Sequence, residues 1–289
     1  MDVETVLRFY EAGQRDFAGV DLRGADLGGA TLIKVNLQGA NLMGANLSRA
    51  FLTGSNLSGA FLNWADLRYI KLSDGILKDA DLTKANMGGA FLVKANLALA
   101  KLSGAMLTHI NLRGANLEKS NLCGANLTGS NLRNANLGGV NLNWANLTGA
   151  RLSGANLRGA FLTAVNLQGA YLNGLNLQGI DLSGINLSNA KLSGANLEGA
   201  NLTASKLNAA SLKGVKLSGA SLDRADLTDA HLPHATMDWN HLEQANFTMA
   251  NLKGVKILGV SATGAEFNGV IRPSGHHQYS HRQYLELIK

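Results

Sequence analysis

Ala25-Asp26-Leu27-Gly28-Gly29 runs straight into Ala30-Thr31-Leu32-Ile33-Lys34 and Val35-Asn36-Leu37-Gln38-Gly39, and this five-residue phrase continues without insertion or deletion from Phe17 to Phe267. The central place is Leu almost throughout, with Phe, Met or Ile as substitutes and Ala262 the one small residue. Two places earlier the residue is usually Ala, as at Ala25, Ala40, Ala115 and Ala195, and between them sits a polar residue, most often Asn or Asp. Ser, Thr or another polar residue follows the Leu. The fifth place is mostly Gly, and holds 28 of the 34 glycines, from Gly19 to Gly269.

A period of five fits neither the 3.6 of a helix nor the 2 of a long strand, and a fixed short period marks a stacked repeat. In a short extended segment, residues two apart point the same way, so the Ala and Leu of each five face inward together. The next two residues must turn the chain, and Gly there tolerates the positive φ that several turn types require. Stacked coils let such short segments pair their backbone groups and bury their Leu.

Units such as Ala25-Asp26-Leu27-Gly28-Gly29 and Ala195-Asn196-Leu197-Glu198-Gly199 resemble the pentapeptide repeat family, and the likeness extends over 51 consecutive fives. The resemblance implies an all-β solenoid: a right-handed, quadrilateral parallel β-helix with four fives per coil, hence about 12 coils and, at roughly 4.8 Å per coil, a rod on the order of 60 Å long. It implies nothing specific about function, because members of such a family share a scaffold and differ on its surface.

Length alone suggests two domains, but a solenoid grows by adding coils, and one elongated domain is expected. With 46% hydrophobic but 6% aromatic residues, its core must consist of many small, similar layers. Cys123 is the single cysteine, so no internal disulfide can form. No signal-peptide core is visible at the N-terminus, and polar residues interrupt every apolar pair before a membrane span could form. The expectation is a cytoplasmic protein without membrane insertion.

Residues 1–16 read as an N-terminal cap, 17–269 as the repeat and 270–289 as a tail or second cap. Val3, Val6, Leu7 and Tyr10 follow the i, i+3, i+4, i+7 spacing of an amphipathic helix over 2–13, which Gly13 can end. The stretch Leu7-Arg8-Phe9-Tyr10-Glu11-Ala12-Gly13, running into Arg15-Asp16-Phe17, resembles the N-terminal cap of cyanobacterial members. Local distortion is expected at Gly75, which replaces an inward Ala, and at Asn240, which takes an inward place. Beyond Phe267, Ile271-Arg272-Pro273-Ser274-Gly275 reads as a turn, and Ser280 with Gln283 has the form of a capping box opening a short helix to Ile288. That helix would cap the far end or dock on a second copy as a dimer contact.

The repeat gives no reason for a nucleophile and a base to converge in a pocket, so no catalytic residue, cofactor or metal is expected. His276, His277 and His281 lack a third ligand. His231, His234, Asp238, His241 and Glu243 look like a metal set, but the four-sided geometry spreads them over three sides. The Asn and Asp columns, such as Asn126, Asn146, Asn166 and Asn186, are expected to bond to turn backbone and to each other.

Charge is unevenly placed. At 20 residues per coil, one side carries Lys34, Lys71, Lys94, Arg113, Arg133, Arg151, Lys191, Lys213 and Lys253 against the single acid Asp74, a net of +8, while the other three sides net −1, −2 and +1. Phe51, Phe91 and Tyr171 share that side, alternating with Lys71, Arg151 and Lys191, which suits cation–π contacts and an anionic partner. Phe51, Lys71, Phe91, Lys94, Arg113, Arg133, Arg151, Tyr171 and Lys191 therefore form a candidate interaction surface. The competing reading is an ordinary solvated side whose positive bias serves solubility. Phe61, Trp64, Trp144 and Phe161 form a second, aromatic candidate on an adjacent side, within the similar segments 62–65 and 142–145; internal duplication accounts for the likeness equally well.

These features favour a non-enzymatic interaction scaffold or regulator whose partner is another protein. The cyanobacterial resemblance implies the same class, since that group includes a regulator of heterocyst differentiation that acts by binding proteins. A gyrase-interacting DNA mimic is the family's other known mode, but a net charge of +6 is opposite to what imitation of DNA needs. Binding of nucleic acid or another polyanion through the basic side is the third reading, with cations sparser than nucleic-acid binders usually show.

Overall fold

The computed structural model describes residues 1–272, so the expected C-terminal turn and helix, with His276, His277 and His281, lie outside the described residues. The chain forms two compact units, Met1–Phe161 and a second that begins at Leu162.

The first unit opens with helix α1, Val3–Glu11. Asp2 precedes it in an extended conformation, and its carboxylate accepts the Thr5 N–H at 2.8 Å, which satisfies one of the orphan donors of the first turn. Val6 is fully buried. Gly13, at φ +97°, ends the helix as the Gln14 N–H turns back to Phe9 O at 2.9 Å. Tyr10 ties α1 to the first coil: its hydroxyl accepts the Ile33 N–H at 3.2 Å, and the Arg15 guanidinium lies 4.0 Å from its ring centroid while donating to Tyr10 O at 2.8 Å.

From Asp16 the chain coils with a pitch of 20 residues. Asp21 bridges Asn41, Asp26 bridges Asn46, Thr31 bridges Phe51 and Asn36 bridges Asn56, all in parallel, and this pattern continues through Asn141 and Phe161. Each bridge uses the same bonds: Asn41 N–H donates to Val20 O at 2.8 Å, Leu22 N–H to Asn41 O at 2.8 Å and Gly24 N–H to Met43 O at 2.9 Å. The Ala25 N–H then closes a β-turn on Leu22 O at 3.1 Å. With a turn in every five residues, only one residue per side is left extended, so the ladder consists of single bridges rather than strands. The second unit repeats the scheme from Asn166 and Asn186 to Asn251 and Ile271. It also holds the two strands among the described residues, β1 (Thr236–Asp238) and β2 (Lys256–Leu258), paired in parallel.

The core is the column of central residues. From Leu27 to Leu152 each is at most 1% exposed, and a fully buried Leu contributes roughly 1.5–3 kcal/mol. Polar intruders are handled locally. Ser55, at an inward place, donates to Leu32 O at 3.0 Å and accepts the Val35 N–H at 3.1 Å. Asn240 is buried and donates to Leu217 O at 2.6 Å and Ala220 O at 3.0 Å, while its Oδ1 has no partner. Here the turn gives way to β1, so the irregularity expected at Asn240 is a local exchange of turn for strand. At Gly75 the ladder stays regular, with Ile76 N–H donating to Ser55 O at 2.9 Å; a Cβ at Gly75 would lie 2.7 Å from Leu72 Cδ1 and 2.9 Å from Leu72 O. Leu72 fills the space that Ala occupies elsewhere.

Every one of the 51 corner places from 19 to 269 has positive φ, and 23 of them are not glycine. All three tryptophans, Trp64, Trp144 and Trp239, stand at such corners.

The Asn and Asp residues before each Leu act as expected. Asp26 accepts the Gly28 N–H at 3.0 Å, and Asn46 donates its amide to Asp26 Oδ1 at 2.7 Å across one coil. The Asn116, Asn136 and Asn156 amides link in the same way.

Candidate interaction surfaces

In the first unit one bridge column reads Thr31, Phe51, Lys71, Phe91, Asn111, Asn131, Arg151, so Phe51, Lys71 and Phe91 occupy successive coils. Lys71 Nζ lies 3.2 Å from the Phe91 ring centroid, a close cation–π contact. The ammonium is thereby committed to its neighbour, and what the column offers a partner is chiefly the exposed rings of Phe51 and Phe91. The cations beside it are placed differently. Lys94 stands at a positive-φ corner, and its N–H donates to Arg113 O at 3.0 Å; the Gly114 N–H donates to Arg133 O at 2.9 Å. Lys94, Arg113 and Arg133 therefore rise through three successive coils about 4.8 Å apart. The Lys94 stem leans over the next coil, where a Cβ on Gly114 would meet its Cγ at 3.6 Å.

Among the described residues only two cations pair with a carboxylate: Arg23 with Asp21 at 2.7 Å and Arg68 with Asp66 at 2.6 Å. Their hydrogen bonds hold both aspartates below the usual carboxylate range. Lys94, Arg113 and Arg133 have no such partner, so three like charges remain open to an anionic one. Tyr171 and Lys191 belong to the second unit, where they are neighbours in a column continuing through Ser211, His231 and Asn251.

The second candidate also lies in the first unit. Phe61 and Trp64 project from one side of one coil at 50% and 59% exposure, and Trp144 and Phe161, at 63% and 60%, project from the same side four coils on. The sequence reading passed over Tyr69, Trp239 and Met249, large exposed side chains that also sit at corners. The available signal was a bulky residue at the place where Gly is the rule.

The residues that resemble a metal set behave otherwise. His231 Nδ1 lies 3.2 Å from the Asn251 amide, and a Cβ on Gly254 would lie 2.7 Å from the His234 ring. His241 and Glu243 share one side with Asp223. Asp223 accepts the Glu243 N–H at 3.0 Å, and Ser261 donates to Glu243 and lies beside His241. Hydrogen bonding with Asp223, then Ser261, pushes the Glu243 carboxyl down to about 2, while burial and the neighbouring Glu243 push Asp223 up. Among the described residues no group of three or more His, Cys, Asp or Glu could hold a metal ion, and no helix is long and apolar enough to cross a membrane.

With this geometry established, comparison with known proteins identifies the class. The model of the family described as pentapeptide repeats matches in eight copies between residues 16 and 257. The chain belongs to that family, and its fold is a right-handed β-helix. Among solved structures it is similar to HetL, a pentapeptide repeat protein involved in heterocyst differentiation regulation from the cyanobacterium Nostoc sp. strain PCC 7120, at 32% identity over 96% of this chain and 100% of that one, TM-score 0.26. It is similar to Rfr23, a pentapeptide repeat protein from the cyanobacterium Cyanothece 51142, at 28% identity over 55% and 99%, TM-score 0.23. QnrB1, a plasmid-mediated fluoroquinolone resistance protein, matches at 20% identity over 70% and 86%, TM-score 0.31. No curated protein matches. Membership rests on the repeat and on the 32% identity, not on superposition.

Proposed function

We propose that the chain is a non-enzymatic interaction scaffold or regulator, built as a four-sided coil stack with residues 1–16 as its cap and 17–269 as its repeat, and that its partner is a protein with an acidic surface. The partner meets Lys94, Arg113 and Arg133 beside the rings of Phe51 and Phe91. The observation that carries this reading is the row of three cations on successive coils with no carboxylate beside any of them. Such a row raises the local concentration of acidic surfaces, and exposed rings next to it supply apolar contact. The likeness to HetL, a regulatory protein in its own organism, supports the same class.

Affinity capture from a cyanobacterial lysate tests it, comparing the intact protein with the Arg113→Glu/Arg133→Glu variant at low and at moderate salt. A discrete protein retained at moderate salt by the intact chain and lost by the variant is expected. Equal capture by both removes the basic side from the account. Recovery of salt-labile nucleic acid alone replaces the reading with polyanion binding, for which the affinity must fall linearly on a log–log salt plot. The QnrB1 route is disfavoured by the net charge of +6, and no inhibition of gyrase supercoiling is expected at stoichiometric protein.

A further inference from the structure

Each coil leaves three kinds of backbone group for the coil before it: the N–H of the bridge residue, its carbonyl and the carbonyl two residues on. The first coil has no described predecessor, and its four sides are finished unequally. On the side of Asp16, the Gln14 side-chain amide donates to Asp16 O at 2.9 Å, and Tyr10 reaches the Ile33 N–H at the far corner. On the side running from Asp21 to Ala25, Asp21 N–H, Asp21 O and Arg23 O have no partner among the described residues. This edge borders an open groove of ≈ 610 Å³, walled on one flank by Met1, Asp2 and Val3 and on the other by Asp21, Leu22, Arg23 and Ala25. That volume is within the range of ligand-sized clefts, about 300–1,000 Å³.

Here we propose a peptide-binding site: the groove takes an extended, cationic peptide segment that adds one parallel rung beneath Asp21–Ala25. The bonding follows from the rungs above. The Asp21 N–H donates to a peptide carbonyl as Asn41 N–H does to Val20 O, and two peptide N–H groups donate to Asp21 O and Arg23 O as Leu22 and Gly24 do to Asn41 O and Met43 O. Leu22 is already buried, so the guest need not supply a large core residue; main-chain bonds and charge do the recognising. Charge selects a basic guest. Residues 1–31 hold six acids and three cations, a net of −3 in a chain of +6, and Asp2 and Asp21 both line the groove. Arg23 is engaged with Asp21 through two parallel bonds of 3.0 and 2.7 Å, which leaves Asp2 as the uncompensated carboxylate. An exposed edge of this kind is a template for a further strand unless something blocks it. This site is separate from the basic side of the proposed function, and neither depends on the other.

The test is a titration of the full chain, isotope-labelled for NMR, with a blocked synthetic peptide of the sequence of residues 190–195, which offers Lys at the bridge place and follows the repeat. Shifts confined to Met1–Val3 and Asp21–Ala25, with slowed hydrogen exchange at the Asp21 amide, are expected. Replacing the peptide Lys by Glu, and separately methylating the nitrogen of its Leu, should each weaken binding by about fivefold or more. The Asp21→Arg variant should lose the shifts with its melting temperature unchanged. No perturbation at millimolar peptide overturns the proposal. So does a response indifferent to N-methylation, which would reduce the contact to nonspecific charge attraction, or shifts that map elsewhere.

Discussion

Ala204 and Ala209 provide a test of the corner geometry in which the usual sign of a substitution is inverted. Both are exposed corner residues, at φ +56° and +55°. Replacing Ala by Gly ordinarily destabilises by about 0.5–1 kcal/mol, because Gly has more backbone freedom to lose on folding. A Cβ in the left-handed region costs roughly 1–2 kcal/mol, and removing it outweighs that loss. Neither replacement disturbs the ladder, since the Ala204 N–H bond to Asp223 O and the Ala209 N–H bond to Thr228 O, both 2.8 Å, are made by backbone. Each substitution should therefore stabilise by about 0.5–1 kcal/mol. The Ala204→Gly/Ala209→Gly double variant should melt about 2–8 °C higher, at the 2–4 °C per kcal/mol typical of domains this large. Gly184→Ala gives the converse: φ is +66°, no atom lies within 4 Å of the added Cβ, and a loss of similar size is expected without any clash. Thermal and guanidinium unfolding followed by circular dichroism measure both, with an unchanged denaturant slope showing that the cooperative unit is the same. If the double variant melts lower than the parent, the corners are not under strain and the reasoning fails.

Other substitutions probe different parts of the molecule. Gly75→Ala should cost about 1–3 kcal/mol, because the new methyl meets both the side chain and the carbonyl of Leu72; a neutral result in denaturant unfolding would show that Leu72 has room to move. Asn240→Asp places a carboxylate against Leu217 O and Ala220 O, which raises its folded-state pKa above the unfolded value. The variant should thus approach parental stability only at acid pH and lose it as pH rises through the raised pKa, a trend that melting curves at pH 3.5 to 7 would reveal or refute. Asp223 and Glu243 should titrate as a pair with two separated steps, and Ser261→Ala should move the lower step upward from about 2; carboxyl carbon NMR reads both. Tyr10→Phe deletes the acceptor of the Ile33 N–H, and an increase in hydrogen exchange at Ile33 and along α1 is the expected sign that this bond seats the helix.

The coil was legible because one rule fixes every position: the inward Ala and Leu, the bonding Asn or Asp and the turning pair appear in the order that the bridges and β-turns require. The helix α1 was readable from the spacing of Val3, Val6 and Tyr10, although its link to Ile33 was not, because nothing local to Tyr10 points to a residue on another element. Positive φ at the corners could be inferred where Gly stands there. At Trp64, Lys94 or Leu99 it could not, since those side chains disfavour it and only the stacked coils on either side impose it. The basic side was visible as a tally of charge by remainder of 20, but its internal division was hidden. The sequence treats Lys71 and Lys94 alike, and only geometry shows one ammonium lying over Phe91 while the other stands clear of any carboxylate. The open edge at Asp21 had no signal at all, because it is a property of what does not precede a coil.

The constant 20-residue pitch has a consequence for how such a surface can change. Insertion or deletion of one five-residue phrase anywhere in a unit would leave the core intact, since Leu follows Leu at the same interval. It would also shift every later residue of that unit by a quarter turn, carrying its charges and rings to the neighbouring side. Only a change of 20 residues, or a multiple, keeps the columns in line. The segments 62–65 and 142–145 stand 80 residues apart, four full coils, so a lineage that lengthens by whole coils copies its surface, while one that lengthens by single phrases re-sorts it. The length of an indel, more than its content, then decides whether a partner is kept.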